Sequence, residues 1–218
     1  MRIPLTPLGG GQLVAFGFVP LALGLGLGFG VHWGAGLPFL LIALFSLNFF
    51  RDPERAVPSG EGLLVSAADG KVVNVLEVDE PLYLKGRGLR IGVFLNVFNV
   101  HVNRAPGAGV VELVDYRPGK FLDARDPRIS EENEANAIGL RLDDGRRVLI
   151  RQVAGLIARR IVCTAKVGDR VERGERIGMI KFGSYTEVIV EPEGRWEPAV
   201  KVGEKVNGAS TVLLRTAE

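Results

Sequence analysis

Four short stretches of this chain hold side chains able to do chemistry. Asn96-Val97-Phe98-Asn99-Val100-His101-Val102-Asn103-Arg104-Ala105-Pro106 sets one histidine among three asparagines and an arginine. Histidine exchanges its proton near neutral pH, which suits acid–base work, although a lone histidine is commonly structural. Ser66-Ala67-Ala68-Asp69-Gly70-Lys71 puts a carboxylate before a glycine, which is also ordinary turn chemistry. Lys181-Phe182-Gly183-Ser184-Tyr185-Thr186 offers a serine hydroxyl after a glycine, a step found in many loops. Phe49-Phe50-Arg51-Asp52-Pro53-Glu54-Arg55 closes an apolar stretch, and its basic residues suit an interfacial anchor.

Other chemistries are excluded. There is no Gly-x-Ser-x-Gly, no phosphate-binding Walker loop and no dinucleotide fingerprint. One cysteine precludes a disulfide framework or a Cys-rich zinc site, and two histidines preclude a His-rich metal site. Cys163 sits among apolar neighbours and reads as an inert buried thiol. With 27 Lys+Arg against 25 Asp+Glu, the net charge of +2 argues against a nucleic-acid binder held by bulk basicity.

Two kinds of element must position these stretches. From Arg51 onward, short Val- and Ile-rich runs alternate with Gly and Asp-Gly turns. Strands are expected at 63–66, 71–78, 89–95, 109–116, 137–142, 147–153, 160–165, 177–181, 187–190 and 212–214. Asp143-Asp144-Gly145-Arg146 reads as a tight hairpin turn and Ser130–Asn136 as a short helical turn. This predicts a mainly-β domain, a small β-sandwich or flattened barrel, over 51–218. Val167-Gly168-Asp169-Arg170-Val171 echoes Val202-Gly203-Glu204-Lys205-Val206, a turn device also seen in lipoyl-type β-sandwiches.

Ahead of this domain, residues 3–50 carry no charge, which explains a mean hydropathy of +0.20. A bilayer core takes about 20 helical residues, so the stretch fits two passes and a turn. Helices are expected over Leu13–Val31 and Leu37–Phe50, with His32–Gly36 between them and Trp33 at an interface. Gly24/Gly28 and Gly26/Gly30 form two small-xxx-small patterns suited to close helix packing, in a hairpin that spans or re-enters the membrane. Arg2 flanks one end, Arg51 and Arg55 the other, and the turn has no basic residue. The positive-inside rule then puts the β domain on the cytoplasmic face of the cell membrane.

Together the four stretches resemble one family closely, the phosphatidylserine decarboxylases, in their short (archaeal-type) proenzyme form. The Phe-Phe-Arg-Asp-Pro-x-Arg, Ala-Asp-Gly-Lys, Asn-Val-His-Val-Asn-Arg and Phe-Gly-Ser elements follow in the family's order. Glu131-Glu132-Asn133-Glu134 and the run 152–162 match further family segments.

The resemblance implies a proenzyme that cuts itself at Gly183–Ser184 into a long chain, 1–183, and a short chain, 184–218, which stay associated. The Ser184 hydroxyl would attack the Gly183 carbonyl, turning the amide into an ester. Elimination would leave dehydroalanine at 184, which hydrolyses to a pyruvoyl group, the only cofactor implied; no metal is. The pyruvoyl ketone would form a Schiff base with the substrate amine and act as the electron sink, converting phosphatidylserine to phosphatidylethanolamine. Asp69 is then the acid that orients or tunes a base during self-cleavage, and His101 the proton donor or acceptor in decarboxylation. Longer members carry a second histidine where this chain has Arg104, which is too basic for a general base. Either His101 serves both steps, or strain and oxyanion stabilisation drive the cut. Arg104, with Asn103, is instead expected to bind the substrate's phosphate or carboxylate. Partners are the phospholipid and the membrane, without nucleic acid, and a homodimer is admitted.

The alternative reading is a membrane-tethered lipoyl- or biotinyl-like carrier, or a β-sandwich adaptor without activity. Met179-Ile180-Lys181 faintly imitates a modified-lysine hairpin, but the Met-Lys-Met tip is absent.

Overall fold

A computed structural model describes residues 5–123, 126, 128–156, 160–181, 184–192 and 195–217, with Ser184 described by its backbone. The chain forms two compact units, Met1–Glu54 and Arg55–Glu218.

The first unit is a pair of apolar helices. Helix α1 (Pro7–Gly30) is 24 residues long and contains an 18-residue stretch with a mean hydropathy of 2.0, enough in length and composition to cross a bilayer. Its first turn is capped by Thr6, whose hydroxyl accepts the Leu8 N–H, and a single π turn interrupts it at Val14–Phe18. Helix α2 (Trp33–Phe49) runs antiparallel to it, with Gly17 of α1 near Leu47 and Gly24 near Leu40. The turn between them is shorter than the sequence suggested. His32 Nδ1 accepts the Gly34 N–H at 3.1 Å and caps α2, so the helix already starts at Trp33. Of the two small-residue patterns, Gly24/Gly28 meets α2: a Cβ on Gly36 would lie 2.2 Å from the Gly24 carbonyl and 2.9 Å from the Gly28 nitrogen. Gly26 and Gly30 face open space instead.

The second unit is mainly β, as expected. Its strands are β1 (Leu63–Val65), β2 (Gly70–Glu80), β3 (Gly86–Leu95), β4 (Val102–Arg104), β5 (Gly109–Arg117), β6 (Ala135–Leu142) and β7 (Arg147–Ala154). There follow β8 (Arg160–Cys163), β9 (Arg170–Val171), β10 (Arg176–Lys181), β11 (Ser184–Val190), β12 (Trp196–Pro198), β13 (Lys205–Val206) and β14 (Val212–Thr216). An eight-stranded sheet of order β13-β2-β3-β11-β7-β6-β5-β9 curls into a half-barrel. Two three-stranded sheets, β1-β14-β12 and β4-β10-β8, complete the fold, and these strands all pair antiparallel. The main core joins Leu64, Val72, Ile91, Leu140, Ile150, Ile177, Val188 and Leu213. The Asp143–Arg146 turn is the expected hairpin, closed by Leu142 N–H to Arg146 O at 2.8 Å with Gly145 at φ +86°. The expected helical turn is a single turn, α3 (Ile129–Glu132), because Ala135 already pairs in β6.

The weak echo in the sequence extends to the whole β unit as a pseudo-twofold repeat. Across a bulge in β2–β3, Val72 opposes Val93 and Asn74 opposes Gly92. Across the matching bulge in β5–β6, Val111 opposes Leu140 and Leu113 opposes Gly139. The two echoing turns form the sheet's two edges: Val206 pairs with Gly70 and Val171 with Gly109. The Gly203 and Gly168 amides donate to Val72 O and Val111 O, each at 2.8 Å. Two reciprocal bonds, Val65 N–H to Pro106 O and Arg104 N–H to Ala67 O, both 2.9 Å, stitch the halves together. Strands β1–β3 with β11–β14 thus match β4–β6 with β7–β10, and β11 and β7 pair at the centre.

Candidate active site

Ser184 opens β11, a central strand of the large sheet. Its backbone lies across from Leu95 of β3 on one side and Ala154 of β7 on the other. Gly183, the other half of the expected cleavage site, lies outside the described residues. Further along β11, alternate side chains leave the sheet on opposite faces. Val188 and Val190 join the main core, while Tyr185 and Ile189 pack on the other side. Burial, and then Glu187, push the Tyr185 hydroxyl up to about 12, so it stays neutral and accepts from Asn74 Nδ2 at 2.6 Å. Glu187 is fully buried, between Arg90 at 3.1 Å and Arg151 at 3.2 Å, and accepts from the Ser130 hydroxyl.

His101 is also fully buried. Its backbone carbonyl accepts the Ile180 N–H at 3.2 Å, which fastens it beside the end of β10. The ring Nδ1 lies 3.0 Å from Asn99 O. A carbonyl only accepts, so Nδ1 donates this bond, and Nε2 is the other ring nitrogen. Two residues on, Asn103 Nδ2 donates to Thr186 Oγ1 at 3.1 Å, linking the His101 segment to the strand that Ser184 opens. Asn103 Oδ1 accepts from Gln152 Nε2 at 2.9 Å, and Gln152 Oε1 accepts from Asn136 Nδ2 at 3.0 Å. All four residues of this chain of amides and hydroxyl are buried. Arg104, also buried, donates from Nη1 to Gly174 O at 3.0 Å.

Asp69 stands just before β2, at the same end of the sheet as Ser184. The Arg104 N–H to Ala67 O bond, 2.9 Å, ties the segment just before Asp69 to the strand that follows His101. Asp69 Oδ1 accepts the Gly208 N–H at 2.8 Å, and its Oδ2 lies 2.6 Å from Arg55 Nη2. The backbone thus gathers Asp69, His101, Asn103 and Ser184 at one sheet end.

Sequence reasoning missed three participants. Arg55 was read as a membrane flank, yet its guanidinium lies on Asp69; its fixed place in the Phe-Phe-Arg-Asp-Pro-x-Arg element was the available signal. Gln152 lay in a matched segment without an assigned role. Lys181 was set aside with the carrier reading. It is buried at the end of β10, opposite Arg160, whereas a carrier lysine is displayed. Burial, and then Arg160, hold its ammonium below the usual lysine range. Cys163 is half-buried and burial raises its thiol, as an inert cysteine requires. Among the described residues no group of three or more His, Cys, Asp or Glu could hold a metal ion.

Residues 42–214 match the family model described as phosphatidylserine decarboxylase. The phosphatidylserine decarboxylase proenzyme of Symbiobacterium thermophilum is 50% identical over 185 residues, covering 85% of this chain and 85% of that one. The like-named proenzyme of Rhodopirellula baltica is 45% identical over 215 residues, covering 98% of this chain and 88% of its own. That of Ralstonia nicotianae is 50% identical over 187 residues, with 84% and 86% covered.

Proposed function

The chain belongs to the phosphatidylserine decarboxylase family, and we propose on that basis that it cuts itself before Ser184 and then removes carbon dioxide from phosphatidylserine, leaving phosphatidylethanolamine. The observation that carries this reading is the gathering of Asp69, His101 and the Ser184 backbone at one end of the sheet, inside a match that spans nearly the whole β unit.

The residues fit a prosthetic group made from the chain itself. A cut ahead of Ser184 falls at the start of β11, so the pairing of Tyr185–Val190 with β3 and β7 survives it. A pyruvoyl group derived from Ser184 would supply an electron-accepting ketone for the substrate amine. The protein supplies the rest. Ser184 is the nucleophile that starts the cut. His101, with its proton on Nδ1, offers Nε2 to take up and return protons. Asp69, fixed by Arg55 and Gly208, orients the charge around that base. Asn103 holds Thr186 and so the first turns of β11, and Arg104 contributes positive charge toward an anionic headgroup.

The lipid substrate does not leave its bilayer, and the apolar α1 supports an anchor in the cell membrane, while the basic flanks Arg2 and Arg51 favour a cytoplasmic β unit. The long and short chains remain together through the β11 pairings. Intact-mass analysis of the membrane-extracted protein tests the reading. The expected result is a C-terminal piece of 35 residues whose blocked N-terminus reacts with hydrazine reagents. One unbroken, carbonyl-free chain with full activity overturns it.

A further inference from the structure

A cavity of about 650 Å³ opens at the end of the large sheet opposite Ser184. Its wall includes Gly62, Leu64, Ala108, Leu142, Arg146 and Arg173. Under the pseudo-twofold relation, these stand where His101, Asn103, Asp69, Leu95, Ser184 and Gly208 stand in the other half. The cavity is therefore the twin of the candidate active site. It has lost the chemistry: glycine replaces the histidine, alanine the aspartate, and Arg146 the serine.

In place of the lost groups the twin carries N–H donors. Trp196, 8% exposed, lines the cavity, and among the described residues its buried Nε1–H has no acceptor. The buried Nε–H of Arg173 has none either, while Arg173 Nη1 donates to Pro58 O. The Arg146 guanidinium lies 4.1 Å above the Trp196 ring. Buried donors without acceptors are costly, and a ligand oxygen would satisfy them. Glu61 and Asp144 also line the cavity; Asp144 is already paired with Arg146, so Glu61 is the carboxylate that offers a partner to an ammonium group.

We propose that this cavity is a second, non-reacting ligand site for a phosphorylated amino alcohol, with Trp196, Arg173 and Arg146 on the phosphate oxygens and Glu61 on the ammonium end. The phosphate-binding half rests on the unpartnered donors. The amino-alcohol half rests also on the function proposed above, since it takes the ligand class from the twin site.

The test uses the full chain in detergent with Trp33→Phe, which leaves Trp196 as the sole tryptophan. O-phosphoethanolamine, inorganic phosphate and ethanolamine are titrated against its emission. The expected result is a saturable change with O-phosphoethanolamine, at least about 10-fold weaker binding of phosphate, and no change with ethanolamine. Arg173→Gln should weaken binding at least about 10-fold. Trp196→Phe, read by calorimetry, should weaken it as well, which keeps the test open if the arginine variant folds poorly. Equal affinity for inorganic phosphate would assign the site to free phosphate and overturn the headgroup part. No saturable change up to about 10 mM, or an Arg173→Gln protein that responds like its parent, would overturn the site itself. The cut state of each protein, read on the same gel, reports separately on the function proposed above, so the two fail independently.

Discussion

The Arg55 guanidinium sits 2.6 Å from the Asp69 carboxylate, whose second oxygen accepts the Gly208 amide. Both side chains are largely buried, at 17% and 9% exposed, so the pair is held in place rather than exchanged with solvent. Arg55→Leu leaves the carboxylate without its counter-charge, at a cost of about 3–5 kcal/mol. The expected outcome is a lower melting temperature together with accumulation of the 218-residue precursor, followed by thermal melts and a gel time course. Cutting at the parental rate would reduce the pair to a purely structural one.

Ser184→Ala is expected to give uncut, inactive protein with an unchanged fold, because the substitution touches only the first residue of β11. Mass spectrometry and circular dichroism check it. Normal scission at that bond in the variant would remove the proposed nucleophile.

His101→Ala separates the two proton-transfer steps. Uncut protein would mean that self-cleavage needs the imidazole. Cut but inactive protein would mean that decarboxylation does. A variant that both cuts and decarboxylates normally would exclude His101 from the chemistry.

Lys181 gives a pH-dependent stability with a definite sign. Its folded-state ammonium titrates below the usual lysine range because of burial and then Arg160. Above the free-lysine value of about 10.4 both states are neutral and burial costs nothing in charge. As pH falls through that value the unfolded chain takes up its proton first, and wild type loses stability until the folded lysine is protonated too. Lys181→Met should therefore be more stable than wild type at neutral pH, with the difference shrinking as pH rises toward 10.4. Melting temperatures across that range measure it; a difference independent of pH would contradict the burial argument.

Glu187→Ala strands Arg90 and Arg151 around a vacated anion. A loss of about 3–5 kcal/mol is expected in denaturant unfolding. Glu187→Gln, which keeps the side-chain shape and the acceptor for Ser130, should lose less.

Much of the fold was legible because alternation is a period-two signal that survives without tertiary context. All ten strands read from it are present, among them β2, β3 and β7. The four that were missed, β4, β9, β12 and β13, have two or three residues each, too few to show a period. Their existence depends on partners distant in sequence: β13 exists because Gly70 and Lys71 lie beside it. Among the site residues, Asp69 and His101 stood out by residue type. Arg55 did not, since a guanidinium after an apolar run reads equally well as a membrane flank. The twin cavity was out of reach for a similar reason. Only the register of β2–β3 against β5–β6 shows that Ala108 and Gly62 occupy the places of an aspartate and a histidine.

Given the proposed cut before Ser184, the position of β11 makes refolding of the processed protein a bimolecular event. The segment after Ser184 supplies β11 to the middle of one sheet and β14 to the middle of another, so no folded remnant of the first 183 residues keeps either sheet whole. The precursor folds as one molecule, but the processed enzyme, once melted, must find its missing piece by collision. Recovery from heat then becomes concentration-dependent and fades on dilution, a sensitivity the uncut chain does not share.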